Sequence, residues 1–110
     1  MNNIENTEKE KLYILNKNPK PSLALNTTFI AKSVSSFVYK YGEDNKYYII
    51  KVSKYVDGKK IRLEKDGMPC ALMLSHRYGF KIKVGTIFQL DIIYHRSHLG
   101  WDVKVIKDGA

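Results

Sequence analysis

The sequence predicts an all-β fold, a small barrel of five or six strands that follows a short N-terminal extension. From Thr27 onward, short stretches of β-branched and aromatic residues alternate with polar turns. Two of these turns contain Asp-Gly, a dipeptide typical of tight hairpins, at Asp57-Gly58 and Asp66-Gly67. No long amphipathic helical pattern interrupts the strands. Five or six strands in about 80 residues favour a closed barrel over a sandwich.

The first 25 residues have a different pattern and are assigned to the extension. Thr7 followed by Glu10 has the spacing of a capping box and predicts a short helix through Leu15. The stretch "NKNPKPS", residues 16–22, contains two prolines, which end a helix and favour an extended linker. We therefore expect a flexible or partly helical extension over residues 1–25 and a β-barrel domain over residues 26–110.

The first two predicted strands are the longest uninterrupted β patterns in the chain. "TTFIAKSVSSFVYKY", residues 27–41, has Ser35-Ser36 as a candidate bulge. After a "GEDN" turn, "KYYIIKVSKY" alternates, so that Tyr48, Ile50 and Val52 share one face of the strand. Its other face carries Tyr47, Ile49 and Lys51.

The remaining predicted strands are shorter and end in a pair of alternating strands. "KKIRLEK" and the apolar run of residues 69–74 follow the two Asp-Gly turns, and the polar, basic connection "SHRYGFKIKVG" comes next. In the final pair, apolar residues alternate with polar ones. These apolar positions are Phe88, Leu90, Ile92 and Tyr94, then Trp101, Val103 and Val105.

Composition limits the classes of protein that the chain fits. Its 110 residues suffice for one compact domain. The single cysteine, Cys70, cannot form an internal disulfide, which fits a reducing compartment. No apolar run reaches membrane-spanning length, and the polar N-terminus is unlike a secretory signal. We expect a cytoplasmic protein that does not enter a membrane, in the host cytoplasm if it is viral.

The net charge of +8 lies mainly on the predicted barrel. Residues 21–110 hold 15 Lys or Arg and 8 Asp or Glu, a difference of +7. A basic surface attracts nucleic acid, anionic lipid or an acidic protein. The same charge also keeps a protein soluble, so charge alone does not choose among these roles.

The last two predicted strands resemble those of an OB-fold domain of the cold-shock type. The likeness consists of Gly85 before a strand, the alternating Phe88 and Leu90, a turn with Gly100, and a final strand containing Val103. The middle of the chain is similar in spacing to the first three cold-shock strands. The resemblance covers residues 47–106 and implies an OB-like barrel that binds single-stranded nucleic acid.

The sequence departs from the cold-shock pattern where that family stacks bases. The matching segments, "KKIRLEK" at residues 59–65 and "CALMLSH" at residues 70–76, contain no aromatic residue. The resemblance therefore supports the fold more than the family's mode of binding. Two registers stay open. Residues 27–41 are either an extra leading strand or, as in single-strand-binding proteins, the first strand of the barrel.

A site for single-stranded nucleic acid needs cations along the phosphates and aromatic faces for the bases. Aromatic and basic residues alternate in three parts of the chain, among them Phe37 near the end of the first strand. Tyrosines also form strands and pack in cores, which is the alternative interpretation. Tyr39, Tyr47, Tyr78 and Phe80 are the first candidates for stacking. The full candidate set is Tyr39, Lys40, Tyr47, Lys51, Arg62, Arg77, Tyr78, Phe80, Lys81, Lys83 and Arg96.

Catalytic and metal-binding signatures are weak. Cys70 follows Pro69 within an apolar run, which predicts a buried, unreactive thiol. No nucleophile elbow, phosphate loop or pair of acids stands out. His95 and His98 have no neighbouring carboxylate or cysteine to complete a zinc site. We expect no enzyme activity, no metal and no cofactor.

These observations favour a non-catalytic protein that binds single-stranded DNA or RNA with little sequence preference. The alternative is a small adaptor or inhibitor, of the type that phages and mobile elements encode, that binds an acidic host protein. Short length, lack of catalytic motifs and frequent Asn, Lys, Ile and Tyr support that alternative. An exposed strand at residues 27–40 would also allow edge pairing into a homodimer.

Overall fold

The computed structural model describes residues 11–16, 27–38, 46–95 and 98–109, without the side chains of Val38 and of residues 92–101. Most of the described residues lie in strands, which confirms the all-β class. The strands are β1 (Tyr13–Ile14), β2 (Thr28–Val38), β3 (Lys46–Val56), β4 (Lys59–Ile61), β5 (Glu64–Lys65), β6 (Met68–Ser75), β7 (Ile87–His95) and β8 (His98–Lys107), with one helical turn, α1 (His76–Gly79), between β6 and β7.

The long strands form one open sheet with the order β1-β6-β3-β2-β7-β8. All the pairings are antiparallel except that of β1 with β6. The short strands β4 and β5 pair with β3 and β6. Strands β2, β3 and β6 follow one another, and β7 returns to lie beside β2, which is the order of a Greek key.

The two Asp-Gly turns form as predicted. Asp57 and Gly58 both have positive φ, at 50° and 78°, and Asp66 and Gly67 follow with 53° and 77°. Two consecutive positive φ angles define the turn whose twist matches that of the flanking strands. These turns connect β3 to β4 and β5 to β6, so local chemistry sets both hairpins.

The hydrophobic core lies on one face of the sheet. Phe29 on β2 and Phe88 on β7 are fully buried, with ring centroids 5.7 Å apart. Ile50 and Val52 of β3, which are predicted to share a face, are buried there too, as is Leu90 of β7. Other core residues are Ala31, Leu72, Leu74, Ile82 and Val103. The predicted alternation of β3 and β7 is therefore confirmed where side chains are described.

Strand β2 lies in the middle of the sheet and not at its edge. It pairs with β3 from Phe29 to Val38 and with β7 at Thr28, Phe29 and Ile30. The prediction of an exposed edge strand is therefore wrong at residues 28–30, because β7 already occupies that side. Residues 28–38 also form the first strand of the Greek key.

The bulge in β2 is three residues earlier than its nearest predicted position. The register with β3 shifts between Ala31 and Ser33, which leaves Lys32 as the extra residue, whereas Ser35 and Ser36 pair regularly. The prediction at Ser35-Ser36 was wrong because two small polar residues fit a regular exposed strand as well as a bulge. The bulge bends the strand and redirects the Lys32 side chain.

The N-terminal segment contributes a strand where a short helix through Leu15 was predicted. Tyr13 and Ile14 pair in parallel with Cys70 and Ala71 of β6, and the Leu15 amide donates to the Ala71 carbonyl over 2.9 Å. The free edge of β6 offers these residues more hydrogen bonds than the end of a short helix would. The predicted capping residues Thr7 and Glu10 lie outside the described residues.

Asn16 continues this contact with its side chain. Its Nδ2 donates to the Met73 carbonyl over 2.8 Å, and its Oδ1 accepts from the Met73 amide over 2.9 Å. The carboxamide thus replaces a backbone pair along β6, and Asn16 is buried with both groups satisfied.

Helix α1 lies where a polar, basic connection was predicted. It contacts β3, β6 and β8, and so spans between the two halves of the sheet. Gly79 fits directly against Tyr48, because a Cβ at this position would lie 2.7 Å from the Tyr48 Cδ1 atom. In the described part of the chain, no helix has the length and apolar character to cross a membrane.

Candidate nucleic-acid interface

The face of β2, β3 and β6 that points away from the core is the candidate binding surface, named here the outer face. Directly paired residues of adjacent strands point to the same side of a sheet. The pairing therefore arranges the outer face in rows across the three strands. The rows are Phe37–Tyr47–Ser75, Ser35–Ile49–Met73 and Ser33–Lys51–Ala71.

An aromatic pair forms the first row of the outer face. The rings of Phe37 and Tyr47 are stacked, with centroids 5.9 Å apart and planes 22° from parallel. Phe37 is 38% exposed and Tyr47 is half-buried. The pair is held rigidly because its members are direct cross-strand partners. A rigid, exposed aromatic face is the feature on which a nucleobase stacks.

The strands that build the outer face are basic and contain no acid. Strands β2, β3 and β6 together have four lysines and no Asp or Glu. Lys51 lies on the outer face itself and is half-buried. The strands β7 and β8 contain both signs of charge, with Asp91 and Asp102 among their residues. The pairing places Lys51 on the outer side, together with Lys60 of the adjoining β4, which pairs with Tyr55, whereas Lys54 pairs with the buried Phe29 and points to the other side.

A second aromatic group lies at the same end of the sheet as the Phe37–Tyr47 pair. Tyr48 stacks on His76 with centroids 5.8 Å apart, and its hydroxyl lies 2.9 Å from His76 Nδ1. His76 in turn contacts Phe80 at 5.7 Å between centroids, and Lys46 Nζ lies 5.4 Å from the Tyr48 ring centre. A groove of about 510 Å³ opens here, lined by Ser75, His76, Arg77 and Phe80.

Three of the predicted residues line a further groove beside this group. Phe80, Lys81 and Lys83 border a space of about 400 Å³ together with Thr86 and Asp108. Thr86 is almost fully buried, and its hydroxyl accepts from the Lys83 amide at 2.9 Å and the Gly109 amide at 3.2 Å. These bonds hold the turn before β7, so the lysines project from a fixed backbone.

Two predicted residues lie away from these surfaces. Tyr78 is half-buried and packs against the hydrophobic core, so its ring contributes to packing. Arg62 forms an ion pair with Glu64, 2.6 Å between Nη2 and Oε2, between β4 and β5. Its charge is therefore partly neutralised. Tyr39 and Lys40, which follow β2 in the chain, and Arg96 lie outside the described residues.

Several residues of the candidate surface were missed from the sequence. His76 was not predicted because its role depends on Tyr48, a residue 28 positions earlier. Lys32 stands alone in the sequence and Lys60 follows Lys59 after a turn, and both come near the outer face only through the β2 bulge and the β3–β4 hairpin. Phe37 was recognised as an aromatic of interest, but its pairing with Tyr47 depends on the register of the hairpin.

Cys70 is buried, as the sequence predicts. Burial, and then the nearby Glu64 carboxylate, raises the pKa of its thiol above the ordinary value, while Lys65 lowers it by less. The thiol is therefore neutral at physiological pH. In the described residues, no group of three or more His, Cys, Asp or Glu side chains could hold a metal ion.

Comparison with protein-family models, with curated proteins and with solved structures finds no match to this chain.

Proposed function

We propose that this protein binds single-stranded DNA or RNA on its outer face, with little sequence preference and without catalysis. The observation that carries the proposal is the exposed, stacked pair Phe37–Tyr47 on strands that hold lysines and no acids. Stacking is tolerant of sequence because every base has a π-face, and lysines contact phosphates without reading bases. A cytoplasmic location belongs to the same proposal.

The strand order supports the further proposal that the fold is an OB-like barrel. OB-folds are partly open Greek-key barrels of five strands. Five strands of this chain have eight residues or more, and β7, β2, β3 and β6 follow the Greek-key order. In OB-folds the face of the second and third strands binds oligonucleotides. In this chain those strands are β3 and β6, which carry Tyr47 and Met73.

The test is fluorescence anisotropy with labelled single-stranded DNA, single-stranded RNA and duplex DNA of equal length. We expect Phe37→Ala and Tyr47→Ala each to weaken single-strand binding about 5- to 150-fold, since one stacked base contributes about 1–3 kcal/mol. Ile106→Ala is the matched control, because Ile106 is an exposed apolar residue on β8, away from the outer face. Equal affinity for all four proteins would contradict the stacking model.

A second candidate is supported by the middle row of the outer face. Ile49 and Met73 lie at its centre, Met73 is 39% exposed, and aliphatic side chains offer no ring on which bases stack. An apolar centre with a basic rim also fits an acidic protein, in keeping with an adaptor or inhibitor of the type that phages and mobile elements encode.

Met73→Asp separates the two candidates in a pull-down from nuclease-treated lysate. A charge at the apolar centre would abolish a protein contact, whereas removing the Tyr47 ring would be the more damaging change for a nucleic acid. A stoichiometric protein that survives nuclease and is lost with Met73→Asp would favour the adaptor. Binding to purified single strands that depends on Phe37 and Tyr47 would contradict it.

A further inference from the structure

A third, smaller groove lies on the outer face at the opposite end of β3 from the aromatic pair. It has a volume of about 280 Å³ and is lined by Ile30, Lys32, Ser53, Lys60, Val84 and Gly85. We name it the lysine groove. Its volume is several times the roughly 30 Å³ that one water molecule occupies, so it has room for a small ion with part of its hydration shell.

Three separate segments build the lysine groove. Lys32 is the bulged residue of β2, which the bulge directs away from the regular ladder. Lys60 pairs with Tyr55 across the β3–β4 hairpin, so it points to the outer side like Ser53. The turn before β7 closes the groove, since the Gly85 amide donates to the Ala31 carbonyl over 2.9 Å.

Ser53 is the unusual residue of the groove. It is 5% exposed, and its hydroxyl has no hydrogen bond to any of the described residues. A buried hydroxyl without a partner is destabilising by about 1–3 kcal/mol, and such groups are rare unless a ligand or water completes them. The hydroxyl faces the same space as the two lysines, neither of which forms an ion pair within the described parts of the chain.

We propose that the lysine groove binds a phosphate group, with Lys32 and Lys60 supplying charge and the Ser53 hydroxyl donating a hydrogen bond. Charged donors form short, strong hydrogen bonds to phosphate oxygens, and Lys is a common phosphate ligand. The groove fits this ligand better than a carboxylate side chain, since three donors from three directions suit a tetrahedral oxyanion.

This phosphate belongs to the backbone of the bound single-stranded nucleic acid, an inference that rests on the proposed function. Ser53 is six residues from Tyr47 along β3, or about 20 Å at roughly 3.3 Å per residue. A single strand that stacks on Phe37 and Tyr47 and runs along β3 would reach the groove several nucleotides later. The groove would then fix the polarity and the minimum length of the strand.

Thermal unfolding in phosphate and in chloride of equal ionic strength is the first test. Phosphate stabilises proteins in general, so each variant is compared with Lys104→Gln, which removes an exposed charge on β8. We expect Ser53→Ala to leave the protein in chloride equally or more stable, and to lose the extra stabilisation by phosphate. Lys32→Gln and Lys60→Gln should each weaken phosphate binding about tenfold or more.

The second test uses the full chain and an oligonucleotide in which one phosphate at a time is replaced by an uncharged methylphosphonate. At one position, the replacement should lower the affinity of the wild-type protein for the oligonucleotide. The same replacement should have no further effect on the affinity of Lys60→Gln. If inorganic phosphate binds with no such position, the groove serves free phosphate and the strand assignment is overturned. If phosphate stabilises Ser53→Ala and wild type alike, the groove proposal fails. Stacking on Tyr47 is tested independently by the anisotropy titration of Tyr47→Ala.

Discussion

Two buried hydroxyls of this protein are in opposite situations. Thr86 accepts hydrogen bonds from two backbone amides, those of Lys83 and Gly109, and holds the turn before β7 against the end of the chain. Ser53 is buried to a similar degree and has no such bond to the described residues. The first hydroxyl contributes to stability, whereas the second is available to a ligand.

Thr86→Val should therefore destabilise the fold by about 1–3 kcal/mol, because it preserves shape and leaves two amides without an acceptor. Urea unfolding measures the loss. Thr28→Val is the matched control, since the Thr28 hydroxyl accepts only from the Gln89 side chain at 2.8 Å, and that amide can turn to water. Equal losses in the two variants would show that the Thr86 bonds have no special role.

Cys70 gives a prediction about pH. The native pKa of its thiol is raised by burial, so the unfolded chain releases this proton first as the pH rises. The stabilisation is complete below the ordinary thiol pKa and is lost as the pH passes through the raised native value. We expect stability to fall between pH 7 and about pH 10 more steeply in the wild type than in Cys70→Ala.

Denaturant unfolding at several pH values measures that difference. Tyrosines and lysines that titrate in the same range are common to both proteins and cancel in the comparison. Identical slopes would mean that the thiol has the same pKa in the folded and unfolded chain. The native thiol should also resist alkylation near neutral pH and react once the protein unfolds.

At the scale of elements, β1 is the least expected feature. Its two residues supply few backbone bonds, so its attachment depends on Asn16, whose side chain pairs with both polar groups of Met73. Removing this side chain leaves the amide and the carbonyl of Met73 without these partners. Loss of the Asn16 side chain should therefore also weaken the pairing of β1 with β6.

Asn16→Ala should reduce the free energy of unfolding by about 1–3 kcal/mol and speed hydrogen exchange at the Met73 amide. Asn16→Asp keeps the acceptor but places a carboxylate against the Met73 carbonyl. It should therefore be destabilising at neutral pH and recover in acid, where a protonated carboxyl can donate. Unchanged exchange at Met73 in both variants would refute this role.

The elements that could be predicted from the sequence are those with local causes. The backbone conformation of the turn at Asp57-Gly58 is determined by these two residues themselves, and the alternation of β3 separated its two faces. The pairing of β1 with β6 joins residues 57 positions apart, and no local pattern records it. The β2 bulge at Lys32 likewise reflects the turn before β7, which pairs with Ala31.

The candidate site was predictable to a smaller extent. Tyr47 and Phe37 are both aromatic residues on predicted strands, but only the register of β2 with β3 makes them a stacked pair. Tyr78 is likewise an aromatic residue beside a basic one in the sequence, but it packs on the core. The lysine groove draws on β2, β3, β4 and a turn, so it appears only once the chain is folded.

For the molecule as a whole, the distribution of charge predicts how binding depends on salt. If three or four lysines neutralise phosphates, the logarithm of the affinity for a single strand should fall with a slope of about −2 to −3 against the logarithm of salt concentration. This corresponds to a roughly 20- to 50-fold loss between about 50 and 200 mM salt. Lys60→Gln should reduce the slope by about 0.7, and Lys104→Gln should leave it unchanged.

Anisotropy titrations at four or more salt concentrations, each near about pH 7, give these slopes. A slope near zero would place the lysines away from the ligand and would leave the positive charge with a role in solubility or protein contact.

The N-terminal strand β1 also covers a segment of the chain that would favour aggregation if its backbone were free. From Cys70 to Leu74, strand β6 is apolar and has neither a charge nor a proline, the type of segment that recruits identical copies into amyloid-like stacks when its backbone is free. β1 and Asn16 occupy that backbone from Cys70 to Met73, and a chain shortened by 16 residues would expose it. By covering the edge of β6, β1 should reduce aggregation. Truncations or purification tags near β1 should therefore affect whether the protein stays in solution.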